Sequence, residues 1–325
     1  MKVSVLIPIY KVEQFIERCV ISLMQQTLED VEYIFVNDAT PDDSMNIVQS
    51  VVSRYPARMD NVKILDHETN KGLPSARNTA LSVAMGEYVF HCDSDDWIEP
   101  TMLEDLYNAA KEKDADFVWC DWFLSFASNE RYMTQAKYTT AEDLLKGLLS
   151  GTLKFNVWNK LVRRDLYYLN NIRFPDGHAM GEDMTMIRLA ACSKRVAYVK
   201  KAYYHYIKTN MNAYSYAMSA KHMEDIKFNL DLTVAFLESK FDKGLEEYVA
   251  YFKLNTKLPF LITSDKDKFK IWEKWYPEAN IYILKNKFQP FRTRLLQWMA
   301  SKGQWWYASL YYNLVFKFVY GVIYR

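Results

Sequence analysis

Short apolar runs alternate with amphipathic stretches over the first hundred residues of this 325-residue chain. The runs have the length of buried strands, and the stretches between them repeat apolar residues at the three-and-four spacing of a helix face. Strands are predicted at residues 3–7, 31–36, 62–65 and 87–92, with helices near 12–24, 45–52 and 75–85, and a further helix and strand are predicted near 101–113 and 116–120. This alternation favours a mostly parallel α/β sheet with flanking helices and right-handed crossovers.

Polar residues follow each of these predicted strands. The groups at the strand ends are Pro8-Ile9-Tyr10, Asn37-Asp38, Asn70-Lys71-Gly72 and Asp93-Ser94-Asp95-Asp96. In open α/β sheets, ligands bind in the crevice beyond the carboxyl ends of the strands. The sequence therefore predicts one ligand crevice that is built from four strand ends.

Three carboxylates crowd into four positions after the fourth predicted strand, at Asp93, Asp95 and Asp96. Such acids can cap a helix, meet surface lysines or hold a hard divalent cation. Asp93 and Asp95 stand two residues apart on a predicted turn, so both can reach one Mg²⁺ or Mn²⁺, and such ions keep open positions for substrate phosphates. A cation would offset the repulsion between the acids and would neutralise a diphosphate leaving group.

A diphosphate usually arrives on a nucleotide, yet the common phosphate-binding loops are missing. Neither GxxxxGK[ST] nor GxGxxG follows a predicted strand, which argues against a P-loop enzyme and a dinucleotide dehydrogenase. Asp38 could accept a hydrogen bond from a base N–H, and Tyr10 could pack on a base. A helix cap for Asp38 and a core-edge position for Tyr10 are the alternatives.

Charge and cysteine content limit the partners and the compartment. The 41 basic and 40 acidic residues nearly balance, so no charge excess indicates nucleic acid. The four cysteines are far apart, which argues against a zinc ribbon and a disulfide scaffold. The N-terminal apolar run stops at Pro8, too short for a spanning helix and without a signal-peptide cleavage site. We therefore expect a cytoplasmic catalytic part.

Four consecutive motifs carry a family resemblance: VSVLIPIYKVEQFIERCVISLMQQT, VEYIFVNDATPDDS, NKGLPSARNTAL and GEYVFHCDSDDW. In order and spacing they closely resemble the nucleotide-binding half of family 2 glycosyltransferases, which have the GT-A fold. The resemblance resumes at Trp158-Asn159-Lys160-Leu161, Phe174-Pro175, Gly181-Glu182-Asp183 and Tyr203-Tyr204-His205-Tyr206. The pattern is similar to bacterial enzymes that build capsular, lipopolysaccharide or exopolysaccharide glycans.

The resemblance implies an activity and its partners. It implies inverting transfer of a sugar from a UDP-sugar to an acceptor hydroxyl in bacterial surface polysaccharide synthesis, with Mn²⁺ or Mg²⁺ as cofactor. The implied acceptor is a glycan or a lipid-linked oligosaccharide at the inner leaflet of the cell membrane.

The resemblance also implies roles for individual residues. Pro8 and Tyr10 would line the base, and Asp38 would contact the uracil. Residues that would meet the rest of the donor are Arg77 at the nucleotide, Asp93 at the ribose or metal, and Asp95 at the metal. Relatives commonly have two acids where this chain has Asn37-Asp38, so the contact geometry there is less determined.

Inversion in one step requires a base on the acceptor side. Glu182 and Asp183 follow Gly181 and precede an apolar helical stretch, which is equally a charge pattern of helix N-termini. The resemblance implies that Asp183 is the base and that Glu182 orients the acceptor or shares that role. One carboxylate suffices, unlike the nucleophile-and-acid pair of retaining glycosidases. His178 and His205 are weaker candidates, either for structural roles or for the metal and diphosphate.

The predicted organisation has three parts. Residues 1–100 form the nucleotide-sugar-binding half of the GT-A domain, 101–215 the acceptor-binding half, and 216–325 a helical C-terminal extension. The extension is basic and aromatic towards its end, notably over Trp305–Tyr324, which suits a helix lying in the membrane interface. The alternatives are a helix packed on the catalytic domain and a dimer face.

Two other functions compete with the transferase interpretation. A non-catalytic nucleotide-sugar-binding subunit of a glycan assembly complex would be favoured by loss of Asp95 or Asp183, and both are present. A sugar-1-phosphate nucleotidylyltransferase would need a glycine-rich loop near the N-terminus, whereas Pro8-Ile9-Tyr10-Lys11 has no glycine.

Overall fold

The structure is a computed structural model that describes residues 1–208 and 219–315. Its contacts divide the chain into two compact units. The first comprises residues 1–145 and 155–236, and the second comprises residues 146–154 and 237 onward. Among the described residues, no helix combines the length and the apolar character needed to cross a membrane. The division at residues 100 and 215 stays a prediction about function.

The first unit is built on a nine-stranded sheet in the described part of the chain. The strands are β1 Val3–Ile9, β2 Val31–Asn37, β3 Val62–Asp66, β4 Tyr88–His91, β5 Trp97–Ile98, β6 Phe117–Ser125, β7 Glu130–Met133, β8 Lys160–Arg163 and β9 Val196–Ile207. Their order is β3-β2-β1-β4-β8-β6-β9-β5, with β7 paired to β6.

Four strands, β3, β2, β1 and β4, form a parallel run. Val5 of β1 lies opposite Tyr33 of β2 on one side and opposite Phe90 of β4 on the other. Every residue of β1 is buried, as expected for a parallel strand that is covered on both faces. The predicted alternation is confirmed here, and the carboxyl ends of these strands share one edge.

The other half of the sheet is mixed. β8 is antiparallel to β4 and β6, β6 is parallel to β9, and β5 is antiparallel to β9. The sequence analysis did not identify β5, β7, β8 or β9 as strands. β5 and β8 are only two and four residues long, too short for a readable period. The predicted α/β class, with a helical C-terminal part, is nevertheless confirmed.

Thirteen helices accompany the sheet in the described residues. They are α1 Ile16–Met24, α2 Ser44–Ser53, α3 Pro56–Met59, α4 Leu73–Ser82, α5 Met102–Glu112, α6 Ala141–Ser150, α7 Arg164–Leu169, α8 Thr185–Cys192, α9 Ala220–Lys240, α10 Glu246–Lys257, α11 Asp267–Lys274, α12 Phe291–Ser301 and α13 Trp305–Tyr311. Short 3-10 turns lie at Glu182–Met184, Leu258–Leu261 and Pro277–Tyr282. The amphipathic pattern predicted α1 well, because Cys19, Val20 and Leu23 form its buried face.

Candidate active site

The acid turn, which we define as Asp93–Asp96, connects β4 to β5. Asp96 is 1% exposed, and both of its carboxylate oxygens are engaged by β9. Its Oδ1 accepts from the Ile207 N–H at 2.7 Å, and its Oδ2 accepts from the Tyr204 hydroxyl at 2.7 Å. Burial, followed by the charges of Asp95 and Asp93, raises the pKa of Asp96 well above its usual range. The third acid of the cluster therefore fastens the turn to the sheet.

Tyr204 and Arg77 fix the position of Asp93. The Asp93 N–H donates to the Tyr204 hydroxyl at 3.1 Å, and Arg77 Nη2 donates to Asp93 Oδ1 at 2.9 Å. The Asp93 side chain stays 26% exposed, so one side of it faces the crevice. Asp95 lies in the same turn and is half-buried.

Arg77 connects the acid turn to the acid pair, which we define as Glu182 and Asp183. Its side chain is 1% exposed, and its Nη2 lies 3.8 Å from Glu182 Oε1. Burial alone would lower the pKa of Arg77, but the charges of Asp93, Glu182 and Asp183 raise it. Within residues 1–208 and 219–315, its Nε and Nη1 find no hydrogen-bond partner. Buried donors of this kind are suited to an anionic ligand.

The acid pair sits in the 3-10 turn ahead of α8. Gly181 precedes it at φ 86°, in the left-handed region that favours glycine. Burial, reinforced by the charge of Asp93 and opposed by Arg77 and Lys160, raises the pKa of Asp183 to about 6. Burial and the neighbouring Asp183 raise the pKa of Glu182 well above its usual range. A carboxylate with a pKa just below neutrality is ionised at pH 7 and still basic enough to take a proton.

The loop that carries the acid pair is held from two sides. Asn78, next to Arg77 on α4, accepts from the Phe174 N–H at 2.9 Å and donates to the Phe174 carbonyl at 2.8 Å. On the other side, Asn229 of α9 donates to the carbonyls of His178 and Met180 at 3.0 and 2.9 Å. These bonds fix the distance between the guanidinium and the acid pair.

Lys160 of β8 is a site residue to which the sequence analysis gave no role. It is fully buried, and its Nζ donates to the Asn156 carbonyl and to Asn159 Oδ1, both at 2.7 Å. Burial lowers the pKa of Lys160 to about 7, while the charge of Asp183 acts in the opposite direction. The sequence signal for this role was the lysine inside the Trp158-Asn159-Lys160-Leu161 motif, because a charged side chain that is buried among apolar residues needs a polar or charged partner.

On the nucleotide side, Asp38 organises the loop before α4. It is 3% exposed, and its Oδ1 lies 2.6 Å from His67 Nδ1 and accepts from the Lys71 N–H at 2.8 Å. Its Oδ2 accepts from the Gly72 N–H at 2.8 Å. A carboxylate oxygen can accept two hydrogen bonds, so Oδ2 has capacity for another donor. The uracil contact stays a prediction, and His67 is a partner that the sequence analysis missed.

The other expected base-lining residues lie at the end of β1. Pro8 is buried within the strand, opposite Val36 of β2. Tyr10 follows the strand and is 41% exposed, so it is not a core-edge residue and its ring is accessible. The first, second and fourth parallel strands thus end in the residues expected to meet the base and the diphosphate.

The two histidines are occupied elsewhere. His178 stacks on Phe228 of α9 with ring centroids 3.7 Å apart, and its Nδ1 lies 3.1 Å from Asp225 Oδ1. The ring nitrogens of His205 lie 2.7 and 3.0 Å from the carboxylates of Glu130 and Glu99. Both histidines have structural partners in this arrangement.

Asp93 and Asp95 have the chemistry of a site for a hard cation. Within the described ranges, no group of three or more His, Cys, Asp or Glu side chains is arranged to hold a metal. Mg²⁺ and similar ions are commonly bound by one or two carboxylates together with substrate phosphates. Two oxygen donors on one turn, one of them held in place by Arg77, fit that mode of binding.

Comparison with known proteins shows the protein family to which this chain belongs. Residues 4–189 match the model of the family described as Glycosyl transferase family 2. Because the match covers more than half of the chain, the chain belongs to glycosyltransferase family 2. It is therefore an enzyme of a family whose members invert the anomeric centre. The family named in the sequence analysis is confirmed.

Individual relatives agree with this assignment. The chain is 30% identical over 254 residues to EpsH of Bacillus subtilis (strain 168), which is named as a glycosyltransferase, covering 76% of this chain and 71% of EpsH. It is 29% identical over 208 residues to the minor teichoic acid biosynthesis protein GgaB of the same strain, covering 62% of this chain and 22% of GgaB.

A solved structure supports the fold. The crystal structure of S. aureus TarS 1-349 in complex with UDP matches with a TM-score of 0.71 and 22% identity, covering 96% of this chain and 91% of that one. At this identity the likeness is one of fold, and the predicted GT-A class is confirmed.

Proposed function

We propose that this enzyme transfers a sugar from a UDP-sugar to an acceptor hydroxyl in a single displacement, with Asp183 as the base. The observation that carries the proposal is the position of Arg77. Its buried guanidinium lies 2.9 Å from Asp93 in the acid turn and 3.8 Å from Glu182 in the acid pair. The two acid groups therefore serve one reaction centre.

The donor would be held by the ends of the parallel strands. Tyr10 and Pro8 would line the base, and the spare capacity of Asp38 Oδ2 suits an N–H of uracil. The unpartnered Nε and Nη1 of Arg77 would donate to the nucleotide, and Asp93 would meet the ribose or the metal. The UDP bound by TarS supports a uridine donor.

Asp93 and Asp95 would hold Mn²⁺ or Mg²⁺. Such an ion supplies positive charge where the diphosphate leaves. The buried guanidinium of Arg77 lies next to the same carboxylate and adds a second, permanent positive charge.

Asp183 would take the proton of the acceptor hydroxyl while the oxygen forms a bond to the anomeric carbon. The bond from that carbon to the diphosphate oxygen breaks, and UDP leaves with the electron pair, so the anomeric centre inverts. The pKa of about 6 supports this role, because Asp183 is mostly ionised at neutral pH. Glu182 would orient the acceptor.

The acceptor is proposed to be a glycan or a lipid-linked oligosaccharide of a bacterial surface polysaccharide. The similarity to GgaB, a protein named for minor teichoic acid biosynthesis, supports this class of product. A cytoplasmic location, at the inner face of the membrane, stays a prediction from the sequence.

The proposal is tested by UDP release from UDP-glucose, UDP-galactose, UDP-N-acetylglucosamine and UDP-N-acetylgalactosamine, with Mn²⁺, Mg²⁺ or a chelator. Asp95→Ala is the test variant, and Glu112→Gln, an exposed acid on α5, is the matched control. We expect metal-dependent release from one donor that is lost in Asp95→Ala and kept in Glu112→Gln. UDP binding without release from any donor, even with acceptor glycans present, would favour the non-catalytic subunit. Absence of both would contradict a uridine donor.

A further inference from the structure

The outward face of α13 is apolar, the reverse of an ordinary surface helix. Trp306 and Leu310 of α13, and Leu314 in the π-helical turn that follows it, are spaced by four residues, and they are 59%, 44% and 56% exposed. The opposite side packs inward: Ala308 is 1% exposed, and the Trp305 ring stacks on Phe269 with centroids 5.7 Å apart. Surface helices of globular proteins normally present polar side chains outward. We call these three exposed residues the apolar stripe.

A second exposed apolar group lies before and at the start of α12. Ile281, Leu284 and Phe291 are 75%, 48% and 65% exposed. Arg294 connects two of them, because its Nη1 donates to the Leu284 carbonyl at 2.9 Å and its guanidinium carbon lies 5.7 Å from the centre of the Phe291 ring. Apolar and cationic groups are therefore mixed around Leu284 and Phe291, whereas Ile281 lines a cavity that also contains the acidic residues Glu238, Asp242, Glu246 and Glu278.

The charge of this part of the second unit has a single sign. Residues 279–315 contain five basic residues and no aspartate or glutamate: Lys285, Lys287, Arg292, Arg294 and Lys302. By contrast, residues 237–278 carry eight lysines and eight acids. The positive charge is thus concentrated on α12 and the segments that flank it, which also expose the apolar side chains of Leu284 and Phe291.

This combination discriminates between possible partners. In a symmetric dimer the same patch meets itself, so the basic residues would be brought together and would repel. Anionic lipid headgroups attract lysine and arginine near the membrane surface, and tryptophan and phenylalanine are favoured at the boundary between headgroups and acyl chains.

We propose that α12, α13 and the segment from Leu284 to Phe291 form a docking surface for an anionic lipid bilayer. The apolar stripe, with Leu284 and Phe291, enters the headgroup–acyl boundary, and the surrounding basic residues meet the lipid phosphates. The surface involves none of the residues of the acid turn or the acid pair, so the proposal is independent of the proposed reaction. Residues 316–325, the rest of the predicted aromatic tail, lie outside the described residues.

The test is flotation of the full chain with vesicles of phosphatidylcholine alone or mixed with phosphatidylglycerol. The test variant combines Trp306→Ser, Leu310→Ser and Leu314→Ser. Its matched control is Leu169→Ser, an 82% exposed leucine of the first unit. A charge variant, Lys285→Gln with Lys287→Gln and Arg292→Gln, is compared with Lys266→Gln, Lys268→Gln and Lys270→Gln in the charge-balanced segment.

We expect flotation with the anionic vesicles, a loss of at least about tenfold in the stripe variant, and no loss for Leu169→Ser. The charge variant should lose binding several-fold more than its control, and added salt should weaken the wild type. UDP release should persist in every variant, with circular dichroism confirming folded protein.

Three results would overturn the proposal. They are no flotation of the wild type, flotation of the stripe variant equal to the wild type, or a wild-type dimer that the stripe substitutions convert to a monomer, which would identify a second copy as the occupant. Absence of UDP release by the wild type would contradict the proposed reaction but would not affect the proposal for this surface.

Discussion

The acid turn and the acid pair contain the same kind of side chain in different surroundings. In the acid turn, Asp93 stays partly exposed while β9 engages Asp96. In the acid pair, burial raises the pKa of both carboxyl groups. A carboxylate that binds a cation must be ionised and accessible to the cation, whereas a general base needs a pKa near the working pH. Asp93 and Asp183 are both half-buried, so the raised pKa of Asp183, rather than a difference in exposure, supports the proposal that it is the base.

The largest effect is expected from Asp183→Asn. The amide cannot accept the proton of the acceptor hydroxyl, so kcat should fall by ~10²–10⁴-fold. In the wild type, kcat/KM should fall as the pH drops below about 6, because protonation disables the base. Transfer assays from pH 5 upward check both points, with Glu112→Gln as control. A variant that turns over at the wild-type rate would remove Asp183 from the mechanism.

The substitution Arg77→Met removes the guanidinium that lies between the acid turn and the acid pair. It leaves Asp93, Glu182 and Asp183 without their buried counter-charge, and loss of one partner from a buried ion pair costs about 3–5 kcal/mol. Urea unfolding at pH 7 measures this loss. The penalty should shrink at low pH, because the buried acids become neutral as the pH falls through their raised pKa values. A loss of stability independent of pH would instead indicate a packing defect.

Asp96→Ala should distinguish the structural acid of the turn from the two acids that are proposed to hold the cation. The Ile207 N–H and the Tyr204 hydroxyl lose their acceptor, which should lower the free energy of unfolding by about 1–3 kcal/mol. The metal requirement of UDP release should remain. If stability were unchanged and the metal response vanished, Asp96 would be a ligand of the cation.

Lys160→Met tests whether the charge of Lys160 lowers the pKa of Asp183. A nearby cation favours the ionised form of Asp183, so removing it should raise the pKa of Asp183 and move the acid limb of the kcat/KM profile to higher pH. Lys160→Arg keeps the charge and should leave the limb in place. If both variants lost activity equally and the acid limb of the kcat/KM profile did not move, Lys160 would act only in packing.

The parallel half of the sheet was predictable because each strand is a short, mostly apolar run that ends in a turn signal. The mixed half was not, since β8 has only four residues and β9 pairs with strands far away in sequence. The sequence also could not separate Asp96 from its neighbours, because its partners Tyr204 and Ile207 lie more than a hundred residues further along the chain.

The same distinction between local patterns and contacts of distant segments applies to the candidate site. Motifs at strand and helix ends identified Asp93, Asp95 and the acid pair, whereas the role expected of Arg77, which lies in the middle of α4, came from the family resemblance alone. The contributions of His67 and Asn229 depend on contacts between distant segments, and no local pattern indicates such contacts. Lys160 bonds to its neighbours in the chain, and its effect on the site comes from its charge near Asp183.

In the proposed reaction, the acid turn holds the donor and the acid pair activates the acceptor. The most direct test is calorimetric UDP binding with Mn²⁺ by Asp183→Asn and Asp95→Ala, alongside transfer by the same preparations. We expect Asp183→Asn to bind UDP like the wild type while transfer is lost, and Asp95→Ala to lose the Mn²⁺-dependent part of binding. Equal loss of UDP binding in Asp183→Asn, or unchanged Mn²⁺-dependent binding in Asp95→Ala, would contradict the assignment of the two regions.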